Sequence, residues 1–232
     1  MNKLKLGSRL AALAAFVPQG TRVADIGTDH AYVPIELVQK SIAISAIAAD
    51  VHIGPYQAAK DNIEALGLSN KISVRFGDGL SVLSPGEVDT VVIAGMGGGT
   101  IIEILNSNPK ITRALSRLIL QPMIATGLVR RWLNTNEWKI VDEALIQEDG
   151  KLYEIVVAEH GVTLTTEPIM YDIGLILWNK KPDLLKLHVE NLIAQTERVL
   201  YEMAASNTAR KSSKYDEYLE RRKQLEEKRK CL

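Results

Sequence analysis

The first 160 residues alternate short apolar runs with stretches of helical period. Each run is compact and rich in Val and Ile, which is typical of parallel strands buried on both faces. Repeated strand–helix units of this kind predict a doubly wound parallel sheet, which binds ligands at the carboxyl ends of its strands. The predicted strands are 22–26, 44–50, 72–76, 89–94 and 117–120, and the predicted helices are 32–40, 55–66, 99–106 and 127–134.

The pattern changes at residue 138. Two extended runs, 138–147 and 151–160, meet at Asp149-Gly150, which is a hairpin turn signal. The seven runs together predict an α/β fold with a doubly wound, mostly parallel, seven-stranded sheet that ends in an antiparallel hairpin.

The last third of the chain has a different period. Residues 161–181 contain strand fragments without a clear period, and Pro182 fits the first turn of a long helix. A polar break at 206–213 separates this helix from a second one with a weaker seven-residue repeat, so an antiparallel coiled-coil hairpin is expected. The seam of the first helix has 4-3-4-3-4 spacing: Leu185, Val189, Leu192, Thr196, Val199 and Met203. We therefore expect a domain at 1–160, a connector at 161–181 and a helical hairpin at 182–232.

Charge is balanced overall but uneven along the chain. The 28 Lys+Arg and 28 Asp+Glu residues cancel. However, residues 1–22 contain four bases and no acid, and residues 207–232 contain nine bases and five acids. A zero net charge therefore does not exclude a polyanionic partner.

Cysteine content and hydropathy exclude several classes of protein. The single cysteine, Cys231, excludes a disulfide framework and a cysteine-rich metal site, and it fits a reducing cytoplasm. No apolar run is long enough to span a membrane. Residues 1–18 are basic and then apolar, and we interpret them as a helix of the mature protein rather than as a signal peptide. The histidines lack metal-ligand spacing, so no metal is expected.

The loop after the first predicted strand carries the first candidate chemistry. A dinucleotide fingerprint needs glycines at three positions, but only Gly27 is present, because Asp29 and Tyr32 occupy the other two. An acidic loop disfavours a pyrophosphate and suits a ligand with an amine or a cation. The alternative interpretation is an ordinary turn in which Asp29 caps the next helix.

Acidic residues also follow the second and third predicted strands. Asp50 is placed to accept the hydroxyls of a ribose, and Asp78, between Gly77 and Gly79, is placed to meet an adenine amino group. A nucleoside pocket without a phosphate-binding loop predicts S-adenosylmethionine as ligand. The alternative is that all three acids are turn formers or caps.

A glycine-rich run, Gly95–Gly99, follows the fourth predicted strand. It is either a flexible turn or a bare surface on which a flat substrate lies beside the methyl donor. The Asn/Asp-Pro-Pro-aromatic motif of enzymes that methylate amino groups of bases is absent there, which leaves methylation of a ring nitrogen open.

Three motifs stand out together: Asp25-Ile-Gly-Thr-Asp-His-Ala-Tyr-Val-Pro34, Ala94-Gly-Met-Gly-Gly98 and Leu120-Gln-Pro122, followed by a helical hairpin. They resemble those of the bacterial tRNA adenine-N1 methyltransferases that act at position 22, the TrmK family. The resemblance covers nearly the whole chain. It implies a class I Rossmann-like methyltransferase domain, S-adenosylmethionine as donor, tRNA as acceptor and a C-terminal coiled coil that helps to grip the tRNA. The family motif usually continues with Asn where this chain has Met123.

The resemblance and the strand-end pattern give a set of expected site residues. The cofactor-binding set is Asp25, Gly27, Thr28, Asp29, His30, Asp50, Val51, Gly77, Asp78, Gly79, Ala94, Gly95, Met96, Gly97 and Gly98. The substrate-binding set is Gly97, Gln121, Pro122 and Met123 near the base, and Lys3, Lys5, Arg9, Arg221 and Arg222 on the tRNA backbone.

Catalysis at N1 of adenine needs no metal and no covalent nucleophile, because the ring nitrogen has an in-plane lone pair. It needs N1 held in line with the methyl group and a carboxylate near the developing positive charge. Asp29 is the first candidate for that carboxylate, while His30 and Tyr32 are expected to orient or stack on an extruded base. Alternatively, His30 only supports the loop through hydrogen bonds, and Tyr32 only packs against the helix.

Two other functions fit the same pattern. One is a methyltransferase with a small-molecule or protein acceptor, and the other is a non-catalytic coiled-coil adaptor on a degenerate Rossmann domain. We expect a cytoplasmic monomer without membrane contact.

Overall fold

A computed structural model describes residues 6–162 and 167–232 of the chain. These residues form two compact units, with the division between Thr163 and Leu164. The strands are β1 Thr21–Ile26, β2 Ala43–Asp50, β3 Ile72–Phe76, β4 Thr90–Met96, β5 Arg117–Pro122, β6 Trp138–Glu148 and β7 Lys151–His160. The helices are α1 Ser8–Ala15, α2 Tyr32–Gln39, α3 Ile53–Ala65, α4 Gly98–Ser107, α5 Pro109–Ala114, α6 Thr126–Thr135, α7 Met170–Ile173, α8 Leu175–Lys180, α9 Leu185–Ala204, α10 Asn207–Arg210 and α11 Ser213–Arg229.

The seven strands form one sheet in the order β3-β2-β1-β4-β5-β7-β6. Strands β1 to β5 pair in parallel, and β7 pairs antiparallel with both β5 and β6. The predicted fold is therefore confirmed, with the hairpin folded back so that its second strand, and not its first, joins the parallel sheet. The apolar runs are strands because β4 and β5 are buried on both faces, as residues such as Val91, Val92, Leu118 and Ile119 show.

The sheet changes direction between β1 and β4. From β1 the chain moves outward through β2 to β3, then returns to place β4 on the other side of β1. The loops that follow β1 and β4 therefore diverge and leave a crevice at the carboxyl edge. This topology, rather than any single residue, fixes where a ligand can bind in the first unit.

A buried ion-pair cluster ties helix α6 to the hairpin. The Arg130 side chain, only 1% exposed, donates to Glu143 Oε1 at 2.6 Å and to Glu154 Oε2 at 2.7 Å. Burial alone lowers the pKa of Arg130, but the two carboxylates outweigh it and raise the pKa overall. Thr126 at the start of α6 also donates to Glu154, at 2.8 Å.

The second unit is helical throughout its described residues 167–232. Strand fragments were expected within 161–181. That prediction is wrong for the described part of this segment, because α7 and α8 occupy 170–180. Helix α9 begins at Leu185 rather than at Pro182, since Pro182 accepts the Leu185 amide in a preceding turn. Helices α9 and α11 pack together, as expected of a hairpin. The buried residues of α9 include the first four seam positions, together with His188, Ile193 and Leu200.

Within the described residues, no helix is both long and apolar enough to cross a membrane.

Candidate functional site

A cleft of about 480 Å³ opens at the carboxyl ends of β1, β2, β3 and β4. Nine of the predicted cofactor residues line it: Gly27, Asp50, Val51, Gly77, Asp78, Gly79, Ala94, Gly95 and Met96. The remaining lining residues are Ile26, Ala49, His52, Thr100, Glu103, Ile104 and Ser107. Four of these residues lie on α4. Sequence analysis missed those four because the inward face of α4 is known only once the helix is packed on the sheet.

Glycines line the part of the cleft that is formed by the strand ends. Gly27 has φ +77°, and a Cβ there would collide with the Met96 side chain. A Cβ on Gly77 would lie 2.6 Å from Val82 Cγ1, and one on Gly79, at φ +51°, 3.2 Å from Ile104. A larger residue at Gly27 would meet both backbone strain and a filled space. Glycine at these positions therefore lets Met96, Val82 and Ile104 pack closely against the backbone of the cleft.

Asp25 lies near the cleft rather than in its lining. It is 8% exposed, and its Oδ2 accepts a hydrogen bond of 2.7 Å from the Thr28 hydroxyl. Burial raises the pKa of Asp25 to about 6; the charge of Asp50 adds to the rise, while Thr28 and the Arg9 cation oppose it. This carboxylate has lost much of its hydration without a close counter-ion, which is a common property of functional sites.

Asp50 stands at the end of β2 and is almost buried. Its Oδ1 accepts the His52 backbone N–H at 2.6 Å and lies 3.0 Å from His52 Nδ1. The imidazole of His52 is 78% exposed. The contacts fix one oxygen of the carboxylate, and Asp50 lines the cleft.

The loop of Asp29, His30 and Tyr32 lies outside the cleft lining. The Asp29 side chain is 79% exposed, and its Oδ1 is 3.3 Å from His30 Nε2. The rings of His30 and Tyr32 stack at 5.2 Å with an interplanar angle of 13°. Helix α2 is capped by Ala31 without a side-chain hydrogen bond, so the interpretation of Asp29 as a helix cap is wrong.

The backbone of this loop is held in an uncommon conformation. His30 and Ala31 have φ of +58° and +56°, in the left-handed region that non-glycine residues rarely adopt. Asn62 holds the loop by donating to the His30 carbonyl at 3.1 Å. Strain of this kind persists where the surrounding structure enforces it, and it is frequent at binding sites.

Gln121 connects the two loops on the other side of the cleft. Its side chain is fully buried, and its Oε1 accepts the Gly95 N–H at 3.2 Å and Arg9 Nη1 at 2.8 Å. Its Nε2 donates to the Pro122 carbonyl at 3.0 Å and lies 3.5 Å from Met123 Sδ. Gln121 thereby sets the turn at Gly95 after β4.

The glycine turn itself packs on the segment that follows β5. A Cβ on Gly98 would lie 2.6 Å from the Ala125 carbonyl oxygen, and the Gly98 N–H donates to Ile124 at 3.0 Å. Gly97 and Gly98 are thus near the cleft but outside its lining. Beside them, the side chains of Met123 and Ile124 are 46% and 71% exposed, which gives the rim an apolar surface.

The basic residues expected on the tRNA backbone are more engaged than their sequence suggests. Lys3 and Lys5 lie outside the described residues. Arg9 is bonded to Gln121, lies near Glu148 and sits 5.4 Å over the Tyr153 ring. Arg221 donates to Asp172 at 3.1 Å, and Arg222 is 3.7 Å from Glu226. The sequence shows charges but not their partners.

The described residues contain no cluster of three or more His, Cys, Asp or Glu side chains suited to hold a metal ion.

Comparisons with known proteins agree with this geometry. A family model described as a methyltransferase domain matches residues 6–156. A Bacillus subtilis protein named tRNA (adenine(22)-N(1))-methyltransferase is 46% identical over 161 residues, which cover 69% of this chain and 68% of that protein. The chain belongs to the TrmK family of tRNA methyltransferases. The family resemblance drawn from the three motifs is therefore confirmed.

Two solved TrmK-family structures extend the match to nearly the whole chain. The crystal structure of B. subtilis TrmK superposes with a TM-score of 0.88 at 36% identity, covering 97% of this chain and 99% of that one. A Streptococcus pneumoniae protein solved in complex with S-adenosyl-L-methionine gives a TM-score of 0.86 at 34% identity over the same shares. The similarity includes the helical unit as well as the Rossmann-like unit.

Proposed function

We propose that the chain transfers a methyl group from S-adenosylmethionine to N1 of the adenine at position 22 of tRNA. The observation that carries the proposal is the cleft, where acidic residues stand at successive strand ends and no phosphate-binding loop is present. Membership of the TrmK family supports the same reaction and sets aside the non-catalytic adaptor. The exposed, acidic loop of Asp29 beside the cleft provides a place for a base that becomes cationic.

The residues of the cleft fit the donor. Asp50 offers its free carboxylate face to the ribose hydroxyls, and Asp78, which is exposed at the mouth, is placed for the adenine amino group. Gly27 has no side chain, so the amino-acid end of the donor is proposed to lie close to the backbone there, near the buried Asp25. When bound, S-adenosylmethionine supplies an electrophilic methyl group on a sulfonium. Thr28, Val51, Ala94 and Met96 complete the proposed cofactor set.

The residues around the rim are proposed to position the acceptor. Gln121 and Pro122 are buried, so they act by holding the Gly95–Gly98 turn rather than by touching the base. The bare turn at Gly97 and the apolar side chain of Met123 are available to an adenine ring. The stacked pair of His30 and Tyr32 offers an aromatic surface at the opposite lip.

Asp29 is proposed as the catalytic carboxylate. Within the described structure no Lys or Arg pairs with its largely exposed side chain, so the carboxylate is available to the ring that methylation makes cationic. The nearby His30 nitrogen at 3.3 Å orients the carboxylate. No proton acceptor is required in the transfer step, because the N1 lone pair makes the new bond.

The test is to incubate the protein with labelled donor and an unmodified tRNA transcript and to map the labelled nucleotide. A matched transcript with guanine at position 22 and a panel of small acceptors are the controls. Label at N1 of adenine 22 supports the proposal, whereas label at another base or only in small acceptors contradicts it.

Asp29→Ala tests the assignment of the carboxylate. We expect turnover to fall by roughly 100-fold, since one preorganised electrostatic group contributes about this much, while donor affinity by calorimetry changes little. Glu64→Ala, which removes an exposed carboxylate of α3, is the control. Full activity of the Asp29 variant would exclude it as the charge stabiliser.

We also propose that the chain acts as a cytoplasmic monomer, with catalytic domain 1–160, connector 161–181 and tRNA-binding hairpin 182–232. The exposed free thiol of Cys231 supports a reducing compartment. Light scattering of the purified chain measures its mass directly, and a dimer contradicts the monomer.

A further inference from the structure

The cations of the helical unit divide into those with acids nearby and those without. In the first group, Arg221 pairs with Asp172, Arg222 with Glu226, and Lys228 with Glu167. Lys228 also lies 5.2 Å over the Trp178 ring. Arg221 and Lys228 join α11 to the segment before α9, so they are poor candidates for a phosphate contact. Lys223 and Arg229 of α11 are exposed, but they lie among Glu220, Glu226 and Glu227 of the same helix.

The second group lies at the turn that joins α9 to α11. Between Glu202 and Asp216 the sequence contains Arg210, Lys211 and Lys214 and no acid. All three side chains are exposed, and none makes an ion pair within the described residues. The nearest preceding acid, Glu202, is already 3.2 Å from Arg198. The turn is therefore a local excess of positive charge.

This turn has a defined backbone. Ser206 caps α10 by accepting the Ala209 N–H at 3.4 Å, and Ser212 caps α11 by accepting the Tyr215 N–H at 3.3 Å. The Ser212 hydroxyl also donates to the Ala209 carbonyl at 2.6 Å. Two successive caps define the backbone from which the cations project, which lowers the entropic cost of ordering this turn against a polyanion.

An exposed aromatic residue lies in the last turn of α9, nine residues before Arg210 in the chain. Tyr201 is 82% exposed, the most of the large hydrophobic residues that are exposed in the described structure. A tyrosine in water has no packing role, and an aromatic face beside cations is a common arrangement for contacting nucleic acid. We call Tyr201, Arg210, Lys211 and Lys214 the turn patch.

We infer that the turn patch is the part of the helical unit that contacts tRNA, with the three cations on backbone phosphates and Tyr201 against an unstacked base or a ribose. The inference rests on the proposed function. It narrows the tRNA contact of the helical unit to the turn patch, in place of Arg221 and Arg222. Charge complementarity with a polyanion and the absence of acids select this occupant over an acidic or apolar protein segment.

The experiment compares two triple variants of the full chain. The test variant is Arg210→Gln/Lys211→Gln/Lys214→Gln. The matched control, Lys186→Gln/Lys223→Gln/Arg229→Gln, removes three exposed cations of the same unit away from the turn. Binding to an unmodified tRNA transcript is measured across a salt series, with donor affinity and thermal unfolding as checks that both variants fold.

We expect the turn variant to bind tRNA on the order of 10- to 100-fold more weakly and to reduce the slope of log affinity against log salt by about 2 to 3, since it removes three cations and each phosphate contact contributes about 0.7 to 0.9. The control is expected to change affinity by less than about three-fold. Tyr201→Ala should weaken binding by about five-fold or more without changing the slope, and Tyr201→Phe should restore it.

The outcomes separate the contact from the reaction. If the turn variant keeps the wild-type rate at saturating tRNA while its KM rises, the patch is a binding surface, as inferred. Equal losses in both triple variants, or unchanged affinity in the turn variant, overturn the inference. Methylation by the wild-type chain tests the proposed function separately, because tRNA binding by the patch is measured without any turnover.

Discussion

Two buried carboxylates of the first unit have opposite surroundings. Glu143 is buried with the Arg130 guanidinium at 2.6 Å, so its charge is compensated. Asp25 is as deeply placed, but its close partner is the Thr28 hydroxyl, and burial raises its pKa to about 6. A compensated buried charge fixes α6 against the hairpin, whereas an uncompensated one is retained at a cost in stability, near the cleft. The surroundings of Glu143 are those of a structural ion pair, whereas those of Asp25 agree with the binding role proposed for it.

The largest effect on stability is predicted when the cation that compensates Glu143 is removed. Arg130→Leu leaves Glu143 buried without its cation, so the free energy of unfolding should fall by about 3 to 5 kcal/mol. Chemical denaturation measures the loss. Arg113→Leu, the same change at an exposed position of α5, should alter it by less than about 0.5 kcal/mol. A small loss in the Arg130 variant would show that the cluster is not structurally required.

Asp25→Asn removes the uncompensated charge. It should raise the free energy of unfolding, whereas Arg130→Leu should lower it. A carboxylate whose folded pKa is raised to about 6 contributes its greatest stability below its unfolded pKa, and this stability is lost as pH rises toward 6. The amide avoids that loss, so unfolding free energy at pH 8 should rise by roughly 1 to 3 kcal/mol. Glu143→Gln should lower it instead.

The same Asp25 variant should bind the donor on the order of ten-fold more weakly, because the cofactor-binding role proposed for Asp25 depends on its charge and an interaction with a charged group contributes about this much. Calorimetry at pH 8 measures it. Lower stability together with unchanged donor affinity would contradict the functional assignment of this residue.

Arg9→Gln sharpens the comparison by removing the cation that opposes the rise in the pKa of Asp25. We expect the pH at which donor affinity is lost to move upward from about 6. Affinity at pH 8 should change by less than about three-fold, since Asp25 remains ionised there. Titration calorimetry from pH 5 to 8 gives the midpoint, and Arg9→Lys should restore part of the shift. An unchanged midpoint with weaker tRNA binding would return Arg9 to the tRNA surface.

The smallest effect is expected at Met123, where the family usually has Asn. Its backbone N–H donates to Met96 at 2.8 Å whatever the side chain, and its sulfur makes only a long contact of 3.5 Å with Gln121. Met123→Asn should therefore change turnover on tRNA by less than about three-fold. A ten-fold gain would show that an amide at this position acts on the base.

Sequence periodicity predicted the parallel strands and the antiparallel hairpin, because buried strands and amphipathic helices leave direct patterns. It missed the short α5, which Pro109 begins, because six residues are too few to show a period. The strand-end rule brought together Gly27, Asp50, Asp78 and Gly95, since it depends only on topology. His52 and Glu103 were missed because their approach to the cleft depends on packing.

Charge was the property that sequence predicted least well. Arg9 and Arg221 look like free cations in a basic segment, but tertiary contacts with Gln121 and Asp172 engage them. The raised pKa of Asp25 has no sequence signal, because it follows from burial. The stretch around Lys211 contains no acid in the sequence, and its three cations are exposed in the structure.

The hairpin that closes the sheet has a consequence for synthesis and solubility. Every residue that lines the cleft, and its supporting Gln121, is made before Lys151–His160 arrives to pair with β5. Until then β5 is an unpaired edge that carries Leu118, Ile119 and Leu120, a template on which nascent chains can aggregate. In the finished sheet β6 becomes the outer edge, where Lys139 and Asp142 make further strand addition unfavourable. The hairpin thus covers the exposed edge of β5 and completes the sheet. Chains truncated before the hairpin should therefore precipitate rather than fold.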